Sequence, residues 1–232
     1  MPIQFAKNIA SSTLLDCLRP QCLTCQCTMT KLASICQQCE EQLIPSPNRC
    51  PFCDIPLTTA RICIICRSKH SPIDRFQSAF LYREPLPSLI NLWKFQNRPD
   101  LTQLIASLAA NSLRTLLLKS DVVVPMPTHW RRQMWRGFDH IWLLSNSLCE
   151  QLQRPPPIPA LKQSQWRPQQ SKISRPLRQS DGKIFEARKS LSNQTIALID
   201  DITTTGATAR AAARALKNAG ARSVALVAIT SA

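Results

Sequence analysis

Between Cys22 and Cys66 the chain repeats one short unit four times: CLTC (Cys22, Cys25), CQQC (Cys36, Cys39), CPFC (Cys50, Cys53) and CIIC (Cys63, Cys66). Ten residues separate the first pair from the second, ten the second from the third, and nine the third from the fourth. A Cys-x2-Cys turn points two thiolates at one place. Two such turns supply the four sulfurs of a tetrahedral zinc ion at about 2.3 Å. Eight ligands therefore make two sites, and the spacing leaves open whether neighbouring pairs combine or cross over. A disulfide framework competes with zinc, but it needs an oxidising compartment. The start of the chain, MPIQFAKNIASSTLLDC, has no basic residues leading into a continuous apolar core, so no secretion signal is read there. An iron–sulfur cluster is the other competitor, and regular pairing suits zinc knuckles better. Cys17 and Cys27 fall outside the pairing and read as ordinary thiols. The segment has few large apolar residues, so metal binding is expected to supply much of its folding free energy.

Ten of the eleven cysteines lie within residues 17–66 and Cys149 stands alone. That asymmetry divides the chain at about residue 70, into a metal-stapled unit over 1–70 and a larger unit over 71–232. The second unit reads as α/β. QSAFLY is strand-like, and LINLWKF is a short apolar element. Leu101, Leu104, Ile105, Leu108, Leu113, Leu116 and Leu117 recur at helical spacing. Val122–Val124 form a short buried strand stopped by Pro125 and Pro127, and WRRQMWRGFDH reads as a basic loop. Phe138, Ile141, Trp142, Ser145, Leu148, Cys149 and Leu152 trace one helix face, which makes Cys149 a core thiol. Residues 154–190 form a long basic loop or a pair of short irregular elements, of the length that is usually functional or disordered. A strand at 195–200, a helix over about 207–218, Gly220 just past its end and a final strand SVALVAIT make a βαβ unit. The sheet is therefore at least partly parallel.

No apolar run approaches the roughly 20 residues that span a bilayer, so no membrane insertion is expected and a cytoplasmic address is the default. Net charge is +15, and residues 121–195 alone carry 12 Lys/Arg against 5 Asp/Glu. Such an excess favours anionic partners, among them nucleic acid and phosphorylated metabolites.

Against that charge, IALIDDITTTGATARAAARAL places Asp200 and Asp201 side by side at the C-terminal end of an inner strand. In open α/β sheets that edge is where ligands bind. Thr203, Thr204, Thr205, Gly206, Ala207 and Thr208 follow, offering hydroxyls and backbone N–H groups at a helix N-terminus, which is an anion cradle. Two acids beside such a cradle suit a ligand with a phosphate at one end and vicinal hydroxyls or a metal at the other. A sugar phosphate has that form. No G-x-x-x-x-G-K-[ST] occurs, which excludes a P-loop.

IALIDDITTTGAT resembles the 5-phosphoribosyl 1-pyrophosphate (PRPP) motif of type I phosphoribosyltransferases. From about Cys22 to the C-terminus the chain resembles the ComF family, the late-competence and GntX-like proteins. The four cysteine pairs, WKF at 93–95, VVVPMPTHWRRQMWRGFDH at 122–140 and the final motif carry the likeness. It implies a double zinc ribbon followed by a phosphoribosyltransferase-like domain, a mostly parallel sheet flanked by helices, and an association with DNA uptake in natural transformation. Carried over by position, Asp200 and Asp201 hold the ribose hydroxyls and residues Thr203 to Thr208 wrap the 5′-phosphate. The Val124–Pro125–Met126 turn lies near the pyrophosphate, with Arg131, Arg132 and Arg136 as phosphate partners. Lys94 sits in the hood above the site, and Gln170 and Arg178 match a flexible loop. The chain departs from the pattern at Thr203, where an aliphatic residue is usual, at Asp139–His140 in place of Asn-Gln, and at Arg167–Pro168 and Ser180–Asp181 in the loop. The negative charge of Asp139 is expected to repel pyrophosphate unless it binds magnesium or pairs with a nearby Arg.

The chemistry implied is displacement of pyrophosphate from C1 of ribose, with Asp200, Asp201 and Arg136 as the catalytic groups. Magnesium enters with PRPP as an oxygen-liganded ion. His70, His129 and His140 read as surface or loop residues. Two other readings stand beside the enzyme. One is a non-catalytic module for single-stranded DNA, acting with DNA-uptake proteins, since Trp130, Trp135, Trp142 and Trp166 fall in the basic span. Of these, Trp142 lies on the apolar helix face and reads as core. The other is a PRPP-sensing regulator.

Overall fold

The computed structural model describes residues 20–30, 33–46, 49–52, 57, 62–63, 66, 71–163 and 184–231, with the backbone alone at Arg131 and Arg132. Cys53, His70, Trp166, Gln170, Arg178 and the departures at 167–168 and 180–181 lie outside the described residues.

The chain forms a short helix α1 (Gln37–Glu41), strand β1 (Arg75–Leu81), helices α2 (Leu86–Phe95) and α3 (Leu101–Leu118), and strand β2 (Val122–Pro125). Helices α4 (Trp130–Arg136) and α5 (His140–Gln151), strands β3 (Leu161–Gln163) and β4 (Phe185–Ala187), strand β5 (Thr195–Thr203), helix α6 (Ala207–Asn218) and strand β6 (Ser223–Ser231) complete it. Four strands make one sheet in the order β1-β6-β5-β2, and every pairing in it is parallel. β5 and β6 are the inner strands. Their cores read as near-continuous Ala, Val, Leu and Ile runs, as strands covered on both faces do.

Both faces are covered. Ala197, Ile199, Val227 and Ile229 pack with α2, α3 and α5 through Trp93, Ile105, Leu113, Leu144 and Leu148. Ile196, Leu198, Leu226 and Ala228 pack with α6 through Ala209, Ala212, Ala213 and Leu216. The period-two alternation of a strand thus feeds two separate cores. In α6 the buried stripe is three alanines and a leucine at i, i+3, i+4 and i+7, which lets the helix lie close against the sheet. α3 has 18 residues and is apolar enough, by length and composition, to cross a membrane. No segment of that kind was expected from the sequence. Here the apolar side of α3 is core: Leu101, Ile105, Ala109, Leu113 and Leu117 are all buried.

The cysteine-rich segment shares the first core. Met29, Ile35 and Leu43 bury in the same cluster as Phe80 and Leu86. Residues 44–46 run along β1, the edge strand, with Leu81 N donating to Ile44 O at 3.0 Å and Ser46 N to Ala79 O at 3.1 Å. This occupies backbone groups an open edge would expose. Arg49 Nη1 adds a bond to Ser231 Oγ at 2.7 Å.

Two expectations change. WRRQMWR forms a helix, α4, where a basic loop was expected. The long 154–190 stretch holds an antiparallel pair, β3 with β4, on either side of residues outside the description. LINLWKF is the greater part of α2, whose buried face is Leu86, Leu89, Ile90 and Trp93.

Candidate functional site

The cysteines gather by neighbouring pairs. The sulfurs of Cys22, Cys25, Cys36 and Cys39 all lie within 4.8 Å of one another, with Cys22–Cys39 at 3.8 Å and Cys25–Cys36 at 3.7 Å. Four sulfurs placed tetrahedrally at about 2.3 Å from one ion stand about 3.8 Å apart, whereas a disulfide needs about 2.05 Å. The spacing fits a single metal ion. Burial works against the Cys22 thiolate, but the N–H groups of Cys25, Cys36 and Thr24 and the Thr24 hydroxyl outweigh it, and its pKa falls to about 5. The N–H of Cys36 reaches Cys22 Sγ at 3.3 Å. Cys50, Cys63 and Cys66 form a second cluster within the same limit. The first pair therefore combines with the second, and three cysteines of the third and fourth pairs stand together. Both clusters could hold zinc.

The second site is a cleft of about 750 Å³ at the C-terminal ends of β2 and β5. Asp200, Asp201, Thr203, Thr204, Thr205, Gly206, Ala207 and Thr208 line it, with Lys94, Met126 and Arg136 on its walls. The acids of the sequence reading, its hydroxyl-rich loop, its hood lysine and one of its three arginines thus meet in one place. Pro125 is buried at the end of β2 behind Met126. The side chains of Arg131 and Arg132 are outside the description, as are Gln170 and Arg178.

The loop after β5 turns on Gly206, whose φ is +67°. A side chain there would be strained by the left-handed backbone, and its Cβ would come within 2.9 Å of Arg210 Nη1. α6 starts at the next residue, so its first N–H groups open toward the cleft. Thr205 Oγ1 accepts weakly from Ala207 N at 3.4 Å. Thr203 is buried and its hydroxyl has no hydrogen-bond partner among the described residues.

Asp201 is the most heavily engaged group. Its Oδ2 lies 2.5 Å from Lys94 Nζ and 2.6 Å from His140 Nε2. Its Oδ1 accepts from Ile202 N at 2.5 Å. Burial would raise its pKa, but the Lys94 charge and the His140 bond outweigh burial and hold the carboxyl well below the usual range. Asp200 takes the opposite course. Burial first, then the charge of Asp201, pushes it up to about 7. One acid is ionised throughout the physiological range, and its neighbour titrates within it.

His140 corrects the expectation of a surface or loop residue. It is 3% exposed and stands between Asp201 and Arg136, with the Trp93 ring edge-on at 5.3 Å. Burial depresses its pKa despite the neighbouring Asp201. A signal was present: His140, Leu144 and Leu148 share one stripe at i, i+4 and i+8. Asp139, whose charge the sequence left as a source of repulsion toward pyrophosphate, caps α5. It accepts from Trp142 N at 3.1 Å, from Gln133 Nε2 at 2.7 Å and from Thr128 Oγ1 at 3.3 Å. Asn could cap α5 through its one oxygen, but its amide nitrogen could not accept from Gln133 Nε2 as Oδ2 does. Of the aromatic residues, Trp142, read as core from its place on the helix face, is only half-buried, while Trp130, Trp135 and Phe95 are exposed. Phe95 and Trp135 lie 5.9 Å apart at the cleft mouth, with Arg136 over the Phe95 ring.

Residues 160–231 match the phosphoribosyl transferase domain family. The chain is 28% identical over 198 residues to the DNA utilization protein YhgH of Escherichia coli K12, covering 82% of this chain and 87% of that one. It is 27% identical over 200 residues to competence protein F of Haemophilus influenzae, with the same coverage. It is 28% identical over 195 residues to competence protein ComFC of Bacillus subtilis, covering 80% and 79%. With its parallel sheet, its cysteine clusters and these relatives, the chain is similar to ComF-type competence and DNA utilization proteins and carries a phosphoribosyltransferase-like domain over residues 160–231.

Proposed function

We propose that the cleft binds PRPP with magnesium and that the chain serves DNA uptake or use, as the names of its relatives suggest. The observation that carries this is the meeting of paired acids and a hydroxyl-rich helix N-terminus in one cleft of substrate size. The ribose hydroxyls would face the acids, and the 5′-phosphate would take the N–H groups and hydroxyls of Thr204–Thr208. The buried Thr203 hydroxyl would gain a partner in a ligand oxygen. Arg136 would face the pyrophosphate. If the chain transfers the ribosyl group, an acceptor attacks C1 and the C1–O bond breaks, with the electron pair leaving on pyrophosphate. Arg136 and the magnesium carried by the substrate would stabilise that charge. We take residues 1–70 as a zinc ribbon unit and 71–232 as the transferase-like unit. Thiols grouped for metal rather than disulfide favour a cytoplasmic setting.

A second reading has its own support. α4 presents Trp130 and Trp135 outward in a basic stretch, beside exposed Phe95. Aromatic faces among cations suit single-stranded DNA, with or without turnover. Melting curves with PRPP and magnesium separate the readings. PRPP raises Tm in the wild type and raises it less in Asp200→Asn if the first reading holds. Salt-sensitive DNA binding with no PRPP response supports the second.

A further inference from the structure

Successive residues of a strand project to opposite faces. In β5, Ala197 and Ile199 face α2, α3 and α5, while Ile196 and Leu198 face α6. The same alternation puts Asp201 on the first face and Asp200 on the second. The contacts agree. Asp201 binds Lys94 of α2 and His140 of α5, whereas Asp200 pairs with no cation among the described residues and its Oδ1 accepts only the N–H of Asp201, at 2.9 Å. His140 has a second bond to make. Arg136 Nη1 lies 3.0 Å from its Nδ1 and 2.9 Å from its Nε2. The ionised Asp201 carboxylate can only accept, so the 2.6 Å bond puts the ring proton on Nε2; a guanidinium can only donate, so Nδ1 is the ring nitrogen left to accept from it. The charged groups facing the ring are Lys94 from α2, Arg136 from α4 and Asp201 from β5.

We propose that the two acids do different work: Asp200 receives the ligand's hydroxyls, and Asp201 is an internal anchor that His140, a positioning residue, ties to Arg136. Through its two ring nitrogens His140 fixes the distance between the acid end of the cleft and the guanidinium at its anionic end. Lys94 neutralises the anchor and so keeps a second negative charge away from a phosphorylated ligand. This rests on the PRPP reading for its ligand, and on hydrogen-bond geometry alone for the role of His140. Glutamine offers one acceptor and one donor at similar reach, so it can replace the imidazole, whereas leucine fills the space and makes neither bond.

The test is calorimetric titration of the full chain with PRPP and magnesium, together with nitrogen-15 spectra of the histidine rings without ligand. Asp200→Asn and His140→Leu each weaken PRPP by about tenfold or more, and His140→Gln stays within about threefold of wild type. In the spectra, one of the three histidines is a neutral Nε2–H tautomer, and its signal vanishes in His140→Gln. Equal loss in folded His140→Gln and His140→Leu overturns the positioning role, as does an Nδ1–H tautomer. Full affinity in Asp200→Asn overturns the division of labour. A wild type that ignores PRPP overturns the ligand reading and the role of Asp200 with it, and the tautomer then still decides whether His140 joins Arg136 to Asp201.

Discussion

At the scale of single residues, the acid pair has opposite effects on stability. The Asp200 pKa is raised to about 7 from 3.8. Between these values the native state holds a proton that the unfolded chain has released, so stability falls as pH rises. Asp200→Asn removes that cost while keeping an acceptor for Asp201 N. Its gain in Tm grows from about pH 4 and levels off above about pH 7. At about 2–4 °C per kcal/mol for a chain of this size, the gain is readable by calorimetry. Asp201 has a depressed pKa, so the stability it contributes is present above its unfolded value and is lost only in strong acid. Asp201→Asn leaves Lys94, 6% exposed, without its counter-ion. Breaking a buried pair costs about 3–5 kcal/mol, so Tm falls throughout pH 5–8. Equal shifts of one sign in the two variants would contradict the assignment. The stabilising substitution is also one expected to weaken PRPP binding, which is the usual conflict between a strained site and a stable fold.

Among the elements, the most legible were those with a strict period. β5, α6 and β6 were readable because their runs are long, apolar and punctuated by Gly206 and Gly220. α4 was not. Its outward residues Trp130, Met134 and Trp135 are apolar, so no apolar face marks an inward side and the segment resembles a loop. His140 was missed because the apolar face was traced from Phe138 and Ile141, although the stripe through Leu144 and Leu148 starts at His140. The small-residue face of α6 has a cost of its own. Ala212 is fully buried against the sheet, so Ala212→Leu overpacks that contact. Chemical denaturation should show a loss of about 1–3 kcal/mol. An unchanged midpoint would mean that the helix can move away from the sheet freely.

For the molecule as a whole, the cysteine-rich segment and the transferase-like body share a core. Met29, Ile35 and Leu43 bury in the core that includes Trp93 and Leu113, and residues 44–46 cover the edge of β1. The sequence showed the cysteine pairs but not this docking, since Met29, Ile35 and Leu43 are too scattered to set a period. Zinc removal by a strong chelator should therefore do two things. Residues 17–70 become the first protease-sensitive segment, and the Tm of the remaining body falls as well, because β1 loses its cover and part of its apolar contact. Metal analysis should give two zinc ions per chain, one for each cluster. Equal protease resistance with and without metal would contradict metal-driven folding of that segment.

The most direct test of the central claim is a crystal structure of the chain with PRPP and magnesium. The account predicts the 5′-phosphate within hydrogen-bond distance of the N–H groups and hydroxyls of Thr204–Thr208, and a ribose hydroxyl on Asp200. It also predicts Asp201 still held by Lys94 and His140. A ligand seated elsewhere, or a phosphate bound with its sugar turned away from β5, would contradict it.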